Sequence, residues 1–176
     1  MTGPTPHQLL VITASNGENL KLAQRFIAAA KARQCSASLV DLTQIELPLF
    51  NPRLAQDAAP AALDGLRTQM HHSPRWVICA PEYNGSIPPI LSNAIAWLST
   101  QDEDFRSLFN GRPVGIATFS GGGGMELLMS LRIQLSHLGA DVLGRQLLSN
   151  HNKPPSDAAI DDLLNRLLQR HPLQIP

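Results

Sequence analysis

Short, nearly continuous runs of apolar residues recur along the chain, separated by longer segments in which apolar residues return at helical spacing. Such runs are typical of strands buried on both faces, because a strand with one wet face alternates apolar and polar positions. They predict five strands, at residues 8–13, 36–42, 76–80, 113–119 and 141–149, of which the last is less regular.

A helix is predicted after each strand. Helical spacing places these helices at about residues 18–33, 60–72, 88–99, 128–138 and 157–169. Ser15 and Glu18 have the spacing of a capping box, so we expect Ser15 to cap the first helix. The third helix is apolar nearly all round. We therefore expect a cover on the side away from the sheet, and a partner subunit is one candidate for it.

The alternation of strands and helices indicates the α/β class, with a parallel sheet covered by helices on both faces. Neither a linker nor an internal repeat divides the chain, so residues 1–176 are predicted to form one domain. An open sheet of this kind binds its ligands outside the carboxyl ends of its strands, where the strand order reverses.

Composition and charge limit what such a site binds. The 176 residues carry 14 Lys and Arg against 14 Asp and Glu, without a basic stripe, so we expect neither nucleic acid nor an anionic membrane as a partner. No apolar run approaches the ~20 residues of a membrane span. Residues 1–8 lack a signal-peptide layout, and Cys35 and Cys79 are too far apart for a CxxC pair. We therefore expect a cytoplasmic protein with reduced thiols, Cys79 lying in the core.

Three loops at the predicted carboxyl edge are the segments richest in Gly, Ser and Asn. They follow the first, third and fourth strands, at residues 14–19, 81–88 and 120–124. For the strand order 2-1-3-4-5, the switch point lies between strands one and three, so two of these loops flank it and the third is adjacent. Topology and composition therefore select the same place for a ligand.

Each loop offers different chemistry. The first runs into a helix N-terminus, whose free N–H groups and dipole favour an anion, although it could equally be no more than a helix cap. The last contains Gly121 to Gly124, whose backbone can approach a flat ligand closely; taken alone it could be a flexible turn, since it lacks P-loop and GxGxxG spacing. The middle loop has more polar side chains than a structural turn needs.

The middle loop and the helix after it resemble the signature of the NADPH-dependent FMN reductase family. The matching residues are Pro81, Glu82, Tyr83, Asn84, Gly85, Ser86, Ile87 and Pro88, followed by Asn93, Ala94, Ile95, Ala96, Trp97 and Leu98. The family includes quinone, azo-dye and chromate reductases. The resemblance implies a flavodoxin-like five-stranded parallel sheet of order 2-1-3-4-5 and bound FMN.

By this resemblance, the middle loop would hold the ribityl chain and ring edge, the glycine run the opposite ring edge, and the first loop the phosphate. The implied cofactor-binding residues are Ser15, Asn16, Asn19, Pro81, Glu82, Tyr83, Asn84, Gly85, Ser86, Ser120, Gly121, Gly122 and Gly123. The first loop is shorter than the family's and lacks its Arg, while Glu18 adds a negative charge there. Lys21 and Arg25 lie further along the helix and would compensate only weakly.

The resulting hypothesis is an enzyme in which NADPH or NADH reduces bound FMN, which then reduces a small acceptor by a ping-pong route. The acceptor would be a quinone, an azo compound, a metal oxyanion or free flavin, and a homodimer or homotetramer is implied. No catalytic side chain is predicted, because the flavin would carry the redox chemistry. No metal site is predicted, because His71 and His72 point in different directions on one helix. Two alternatives stay open: a flavin-binding electron carrier, and a binding module that has lost FMN. The sequence decides neither the acceptor nor the nicotinamide.

Overall fold

A computed structural model describes residues 9–53 and 59–173. The strands are β1 (Leu9–Thr13), β2 (Ala37–Asp41), β3 (Trp76–Cys79), β4 (Pro113–Phe119), β5 (Asp141–Val142) and β6 (Leu147–Ser149). The helices are α1 (Glu18–Ala32), α2 (Ala61–His72), α3 (Pro89–Leu98), α4 (Met125–His137) and α5 (Asp157–Leu168).

All the strands pair in parallel, in the order β2-β1-β3-β4-β5, with β6 also paired to β4. This confirms the predicted α/β class and the strand order. The predicted bounds differ by one or two residues for most elements, and position 8, the first of the predicted strand, lies outside the described residues. Residues 42–44 form a short 3₁₀ turn directly after β2.

The predicted fifth strand is interrupted in the structure. Its first piece, β5, pairs with the start of β4, and its second, β6, pairs with the end of β4. Between them the Arg132 guanidinium of α4 donates hydrogen bonds to the backbone carbonyls of Val142 and Leu143, at 3.4 and 2.7 Å. Side-chain hydrogen bonds thus replace ladder bonds where the strand leaves the sheet, which accounts for the irregular pattern in the sequence.

The sheet separates two apolar layers. Every residue of β1, β3 and β4 is buried, as expected for strands covered on both faces. One layer lies under α2, α3 and α4, and the other under α1 and α5. Cys79 is completely buried in the second layer, and burial raises the pKa of its thiol far above the usual value. The thiol therefore stays protonated, which confirms that Cys79 belongs to the core.

The outer side of α3 is covered by the chain itself, so a partner subunit is not needed there. Residues 45–53 form this cover, which we call the α3 cover segment. Asn93 accepts the N–H of Phe50 at 2.7 Å and donates to the carbonyl of Pro48 at 3.0 Å. The indole N–H of Trp97 donates to the same carbonyl at 2.8 Å, and the Phe50 ring meets the Trp97 ring edge to face at 5.2 Å.

Within the described residues, no helix is long and apolar enough to cross a membrane, and no cluster of three or more His, Cys, Asp or Glu side chains could hold a metal ion.

We expect Asn93→Leu to lower the free energy of unfolding by about 1–3 kcal/mol, because it leaves the part-buried Phe50 N–H without an acceptor and leaves Trp97 as the remaining side-chain donor to the Pro48 carbonyl. Urea unfolding followed by tryptophan fluorescence measures the change. The matched control is Asn51→Ala in the same segment, which removes only a local bond to the N–H of Arg53 at an exposed position. Equal losses for both variants would contradict the assigned role of Asn93.

Candidate functional site

The three predicted loops leave the sheet at the same edge. In the parallel register Thr13 pairs with Cys79, and Cys79 with Ala117, so β1, β3 and β4 reach the edge together. One further bond on each side extends this alignment: Ala14 donates to the carbonyl of Cys79 at 3.0 Å, and Ala80 to that of Ala117 at 3.1 Å. The loops at residues 14–17, 80–88 and 120–124 therefore begin side by side.

The first loop does not contain the predicted capping box. Helix α1 is capped by Gly17, without a side-chain hydrogen bond, and Ser15 lies two residues before that cap. The Ser15 backbone is instead held by the Thr13 hydroxyl, which donates to the Ser15 carbonyl at 2.9 Å. Glu18 makes an ion pair with Lys21 at 2.6 Å rather than reaching back to the loop. The prediction failed because the turn after β1 is set by a strand residue, Thr13.

Without a capping side chain, the start of α1 keeps free donors. The backbone N–H groups of Asn16, Gly17, Glu18 and Asn19 have no acceptor within residues 9–53 and 59–173. Unpaired amides at a helix N-terminus, together with the helix dipole, favour an anion. The structure thus supports the anion-binding interpretation of this loop over the capping interpretation.

Asn19 has a structural task for its side chain. It is 2 % exposed, donates to the backbone carbonyl of Phe119 at 2.8 Å and accepts the N–H of the same residue at 2.8 Å. Both halves of the amide are therefore occupied, and only the Asn19 backbone N–H is left for a ligand. The contact ties the first turn of α1 to the end of β4, where the glycine run begins.

The middle loop is a tight hairpin turn. Tyr83 and Ser86 exchange two backbone hydrogen bonds, at 3.1 and 3.0 Å. Between them Asn84 and Gly85 have φ of 51° and 67°, as the two central residues of a type I′ turn require. The turn type thus explains why Asn and Gly occur at positions 84 and 85, which the sequence analysis had interpreted only as ligand-binding residues. The turn leaves the N–H groups of Glu82, Asn84 and Gly85 without an acceptor in the described chain.

Glu82 connects the middle loop to the glycine run. Its carboxylate accepts the N–H of Leu127, in the first turn of α4, at 3.4 Å. Helix α4 has no capping side chain of its own, so a carboxylate from the neighbouring loop stabilises its N-terminus. A Cβ added to Gly122 would lie 3.8 Å from the other oxygen of Glu82.

The glycines of the last loop are not equivalent. Gly124 caps α4 with φ of 76°, and a Cβ there would lie 2.9 Å from Thr118, so glycine is required by the fold. A Cβ on Gly121 meets nothing within 4 Å, and Gly121, Gly122 and Gly123 are all exposed. Ser120, in contrast, is buried and donates its N–H to the Ser149 carbonyl at 3.0 Å. A Cβ on Gly123 would lie 3.4 Å from the Glu126 carboxylate, so the space that a flat ligand would use is most open at Gly121.

An open cleft of about 360 Å³ lies between the first and middle loops. Of the predicted residues, Ser15, Asn16 and Tyr83 line it; the remainder of the lining is Ala14, Thr43, Pro89 and Ile90. Thr43, Pro89 and Ile90 were not predicted as site residues. Thr43 follows β2 at the same edge, which was the available signal.

A larger concavity, of about 600 Å³, lies elsewhere, at the strand interruption beside the end of α5. It is lined by Arg145, Arg166 and Arg170 and contains none of the predicted site residues. Arg145 and Arg166 share the carboxylate of Asp162, and Arg170 pairs with Asp141 at 3.7 Å, so all three guanidinium groups are already paired. We therefore take the carboxyl edge, and not this concavity, as the candidate site.

The residues at the carboxyl edge fit a flavin mononucleotide. Four free amides at the start of α1 suit a phosphate, and the free N–H groups of the I′ turn suit the polar edge of a ring. The exposed glycines leave space for a flat group that any side chain would fill. The donors at the phosphate end are backbone groups, and within the described residues no arginine or lysine side chain is hydrogen-bonded to the backbone of the first loop.

Comparison with known proteins agrees with this interpretation. Residues 8–154 match the family model described as NADPH-dependent FMN reductase. The NADPH azoreductase of Bacillus sp. (strain OY1-2) is 29% identical over 136 residues, which is 76% of this chain and 72% of the relative. The quinone reductase of Escherichia coli (strain K12) is 33% identical over 124 residues, which is 66% of this chain and 64% of that enzyme.

Solved structures share the fold. FerB, a flavoenzyme NAD(P)H:(acceptor) oxidoreductase from Paracoccus denitrificans, superposes with a TM-score of 0.69 at 24% identity, covering 92% of this chain and 90% of FerB. A flavodoxin from the domain Archaea superposes with a TM-score of 0.59 at 13% identity, covering 91% of this chain and 92% of the flavodoxin. At these identities the likeness shows the flavodoxin-like fold alone.

We expect Asn19→Leu to destabilise the protein by about 1–3 kcal/mol, because it removes the side-chain partner of both the N–H and the carbonyl of the buried Phe119. Urea unfolding measures the loss. Asn16→Ala, at an exposed position in the same loop, is the control and should change stability by less than about 0.5 kcal/mol. A wild-type unfolding midpoint for Asn19→Leu would show that the Asn19–Phe119 contact is not needed.

Proposed function

The chain belongs to the NADPH-dependent FMN reductase family, and from that membership we propose that it binds FMN at the carboxyl edge of its sheet and reduces it with NADPH or NADH. The observation that carries the proposal is the convergence of three loops whose free backbone amides and bare glycines lie at one edge. Each loop alone has a structural explanation. Their combination at a topological switch point favours a bound nucleotide.

We propose that the amides of Asn16, Gly17, Glu18 and Asn19 bind the phosphate, with Ser15 beside them. The I′ turn, through the N–H groups of residues 82, 84 and 85, would bind the polar edge of the ring, and Gly121, Gly122 and Gly123 would lie against the ring's other edge. Tyr83, which is 51% exposed, would border the ring at the mouth of the cleft. Ser86 and Ser120 support these loops mainly through their backbone bonds.

When bound, FMN supplies the redox chemistry, taking a hydride from a reduced nicotinamide and passing electrons to an acceptor. The chain's own residues bind and orient, and no side chain is assigned as an acid or base. Glu82, whose carboxylate lies beside Gly122, is already engaged with the start of α4. Because one open cleft serves donor and acceptor in turn, we propose ping-pong kinetics.

The acceptor class is a quinone, an azo compound, a metal oxyanion or free flavin. The names of the azoreductase and quinone reductase relatives favour the first two. The cytoplasm is the proposed location, since the enzyme consumes reduced nicotinamide and its two described cysteines are free and buried.

We further propose a homodimer or homotetramer formed through α4. This helix presents three apolar side chains to solvent at intervals of four residues: Met125, Met129 and Ile133, which are 42%, 57% and 68% exposed. An antiparallel contact with a second copy, centred on Met129, would place Met125 of one copy opposite Ile133 of the other. Such a stripe is self-complementary about a two-fold axis, as a closed homodimer requires.

The function is tested by adding FMN to the purified protein and then a reduced nicotinamide without oxygen. We expect FMN fluorescence to be quenched on binding and the flavin absorbance to bleach when NADPH or NADH is added. If bound FMN is bleached by neither nicotinamide, the protein is a flavin carrier. If FMN does not bind, the binding module without FMN is the correct alternative.

The position of the ring is tested with Gly121→Val. Its side chain would enter open space, so the fold should keep its melting temperature, while FMN affinity should fall by about tenfold or more. Gly144→Val is the matched control, because Gly144 also has open space for a Cβ but lies in the interrupted strand. Unchanged FMN affinity in Gly121→Val would remove the glycine run from the site.

The oligomer is tested by sedimentation at micromolar concentration. We expect Met129→Lys to dissociate the assembly, because it places a charge at the centre of the apolar stripe. Leu49→Lys makes the same kind of change at an apolar side chain that is 82% exposed in the α3 cover segment, away from α4, and should leave the assembly intact. A wild-type protein that sediments as a monomer would refute the interface.

A further inference from the structure

The phosphate end of the proposed site lacks a free positive charge on α1. Lys21 is neutralised by Glu18 at 2.6 Å. Arg25 donates to the Pro155 carbonyl at 2.7 Å and pairs with Asp157 at 2.7 Å. Both basic residues that the sequence offered as compensation are therefore occupied. The inference that follows rests on the proposed function and identifies residues of the same site.

The connection from β6 to α5, residues 150–156, lies along the first turns of α1. At its far end it is held by Arg25, through the Pro155 carbonyl and the first residue of α5. At its near end the His151 ring packs edge to face on the Phe119 ring, with centroids 5.0 Å apart. Asn19, in the first turn of α1, binds the backbone of the same Phe119, so His151 and Asn19 are linked through one residue.

This connection begins with a fixed turn. The Asn150 side chain accepts the N–H groups of Asn152 and Lys153 at 2.9 and 2.8 Å, and the Asn150 N–H donates to the Lys153 carbonyl at 2.9 Å. The turn holds His151 and Lys153 close together. Both side chains are exposed, and neither has a hydrogen bond or ion pair within the described residues. They are unpaired donors on the connection that Arg25 joins to α1.

We propose that His151 and Lys153 bind the phosphomonoester of the cofactor from the β6–α5 connection, together with the amides of the first loop. Lys153 would supply a point charge and His151 a ring N–H, both suited to phosphate oxygens. The charged side chains in the first two turns of α1 and at the first residue of α5 are Glu18, Lys21, Arg25 and Asp157, which form two ion pairs and cancel. The connection thus takes the place of a basic side chain in the first loop.

The test compares two ligands that differ only in the phosphate, FMN and riboflavin. Dissociation constants are measured by fluorescence quenching for the wild type and for each variant. Lys153→Met and His151→Phe should each weaken FMN by about two- to fivefold and leave riboflavin unchanged. His151→Phe keeps an aromatic ring against Phe119, so its effect reports the lost N–H and not lost packing.

Two further variants sharpen the result. Lys31→Met removes an exposed charge from the last turn of α1, at the opposite end of the helix, and should change neither constant. Glu18→Gln frees Lys21 and should strengthen FMN, again with no effect on riboflavin. Raising the salt concentration should reduce the difference between the FMN and riboflavin dissociation constants in the wild type. The reduction should be smaller in Lys153→Met.

The inference and the proposed function fail differently. If Lys153→Met and His151→Phe keep the wild-type ratio of FMN to riboflavin affinity while FMN binds well, the proposed function stands and the role of these two residues is wrong. If the wild type binds neither ligand, both fail. Equal weakening of FMN and riboflavin would indicate a distorted ring site and would also overturn the phosphate assignment.

Discussion

The contact between the Asn19 amide and the Phe119 peptide determines the arrangement of the site. It joins residues 100 apart in sequence, and both of its hydrogen bonds are buried. A buried amide with both halves paired fixes distance and orientation at once, because leaving either half unpaired carries a desolvation cost. The start of α1 and the end of β4 are therefore held in one relation. The free amides at the start of α1 and the glycine run therefore keep a fixed relative position, because each lies next to one of the two partners.

A second asparagine does the same for the other side of the cleft. Asn93 binds the α3 cover segment through both halves of its amide, and Trp97 reinforces the contact. Pro89 and Ile90, at the start of the same helix, then line the cleft from a fixed position. Of the family signature, Asn93 and Trp97 serve the scaffold, while residues 81–86 provide the turn. The motif is thus a structural unit, and the flavin contacts proposed for it come mainly from the backbone of its turn.

Local patterns predicted the fold well because they depend on short-range chemistry. Continuous apolar runs predicted the buried strands, and the Gly-rich and Asn-rich loops indicated the edge of the sheet that holds the candidate site. The differences from expectation come from hydrogen bonds that spacing along the chain does not mark. One is local: the Thr13 hydroxyl donates to the Ser15 carbonyl, and Gly17 rather than Ser15 caps α1. Two join different elements: Arg132 donates to the Leu143 carbonyl where the last strand is interrupted, and Asn93 binds Phe50 of the segment that covers α3. Those two partners depend on which elements the sheet brings together.

The site is built mainly of backbone, and this explains why side-chain motifs describe only part of it. The free N–H groups of the first loop and of the I′ turn depend on backbone shape and not on the identity of the side chain. The acidic side chain of Glu18 therefore removes none of the backbone donors at the helix start. Net charge is the property that such a site cannot obtain from backbone alone. It has to come from a side chain, and the chain position of that side chain is free as long as the fold brings it to the amides. A basic residue missing from one loop therefore leaves the chemistry intact if a neighbouring loop, here residues 150–156, carries the charge.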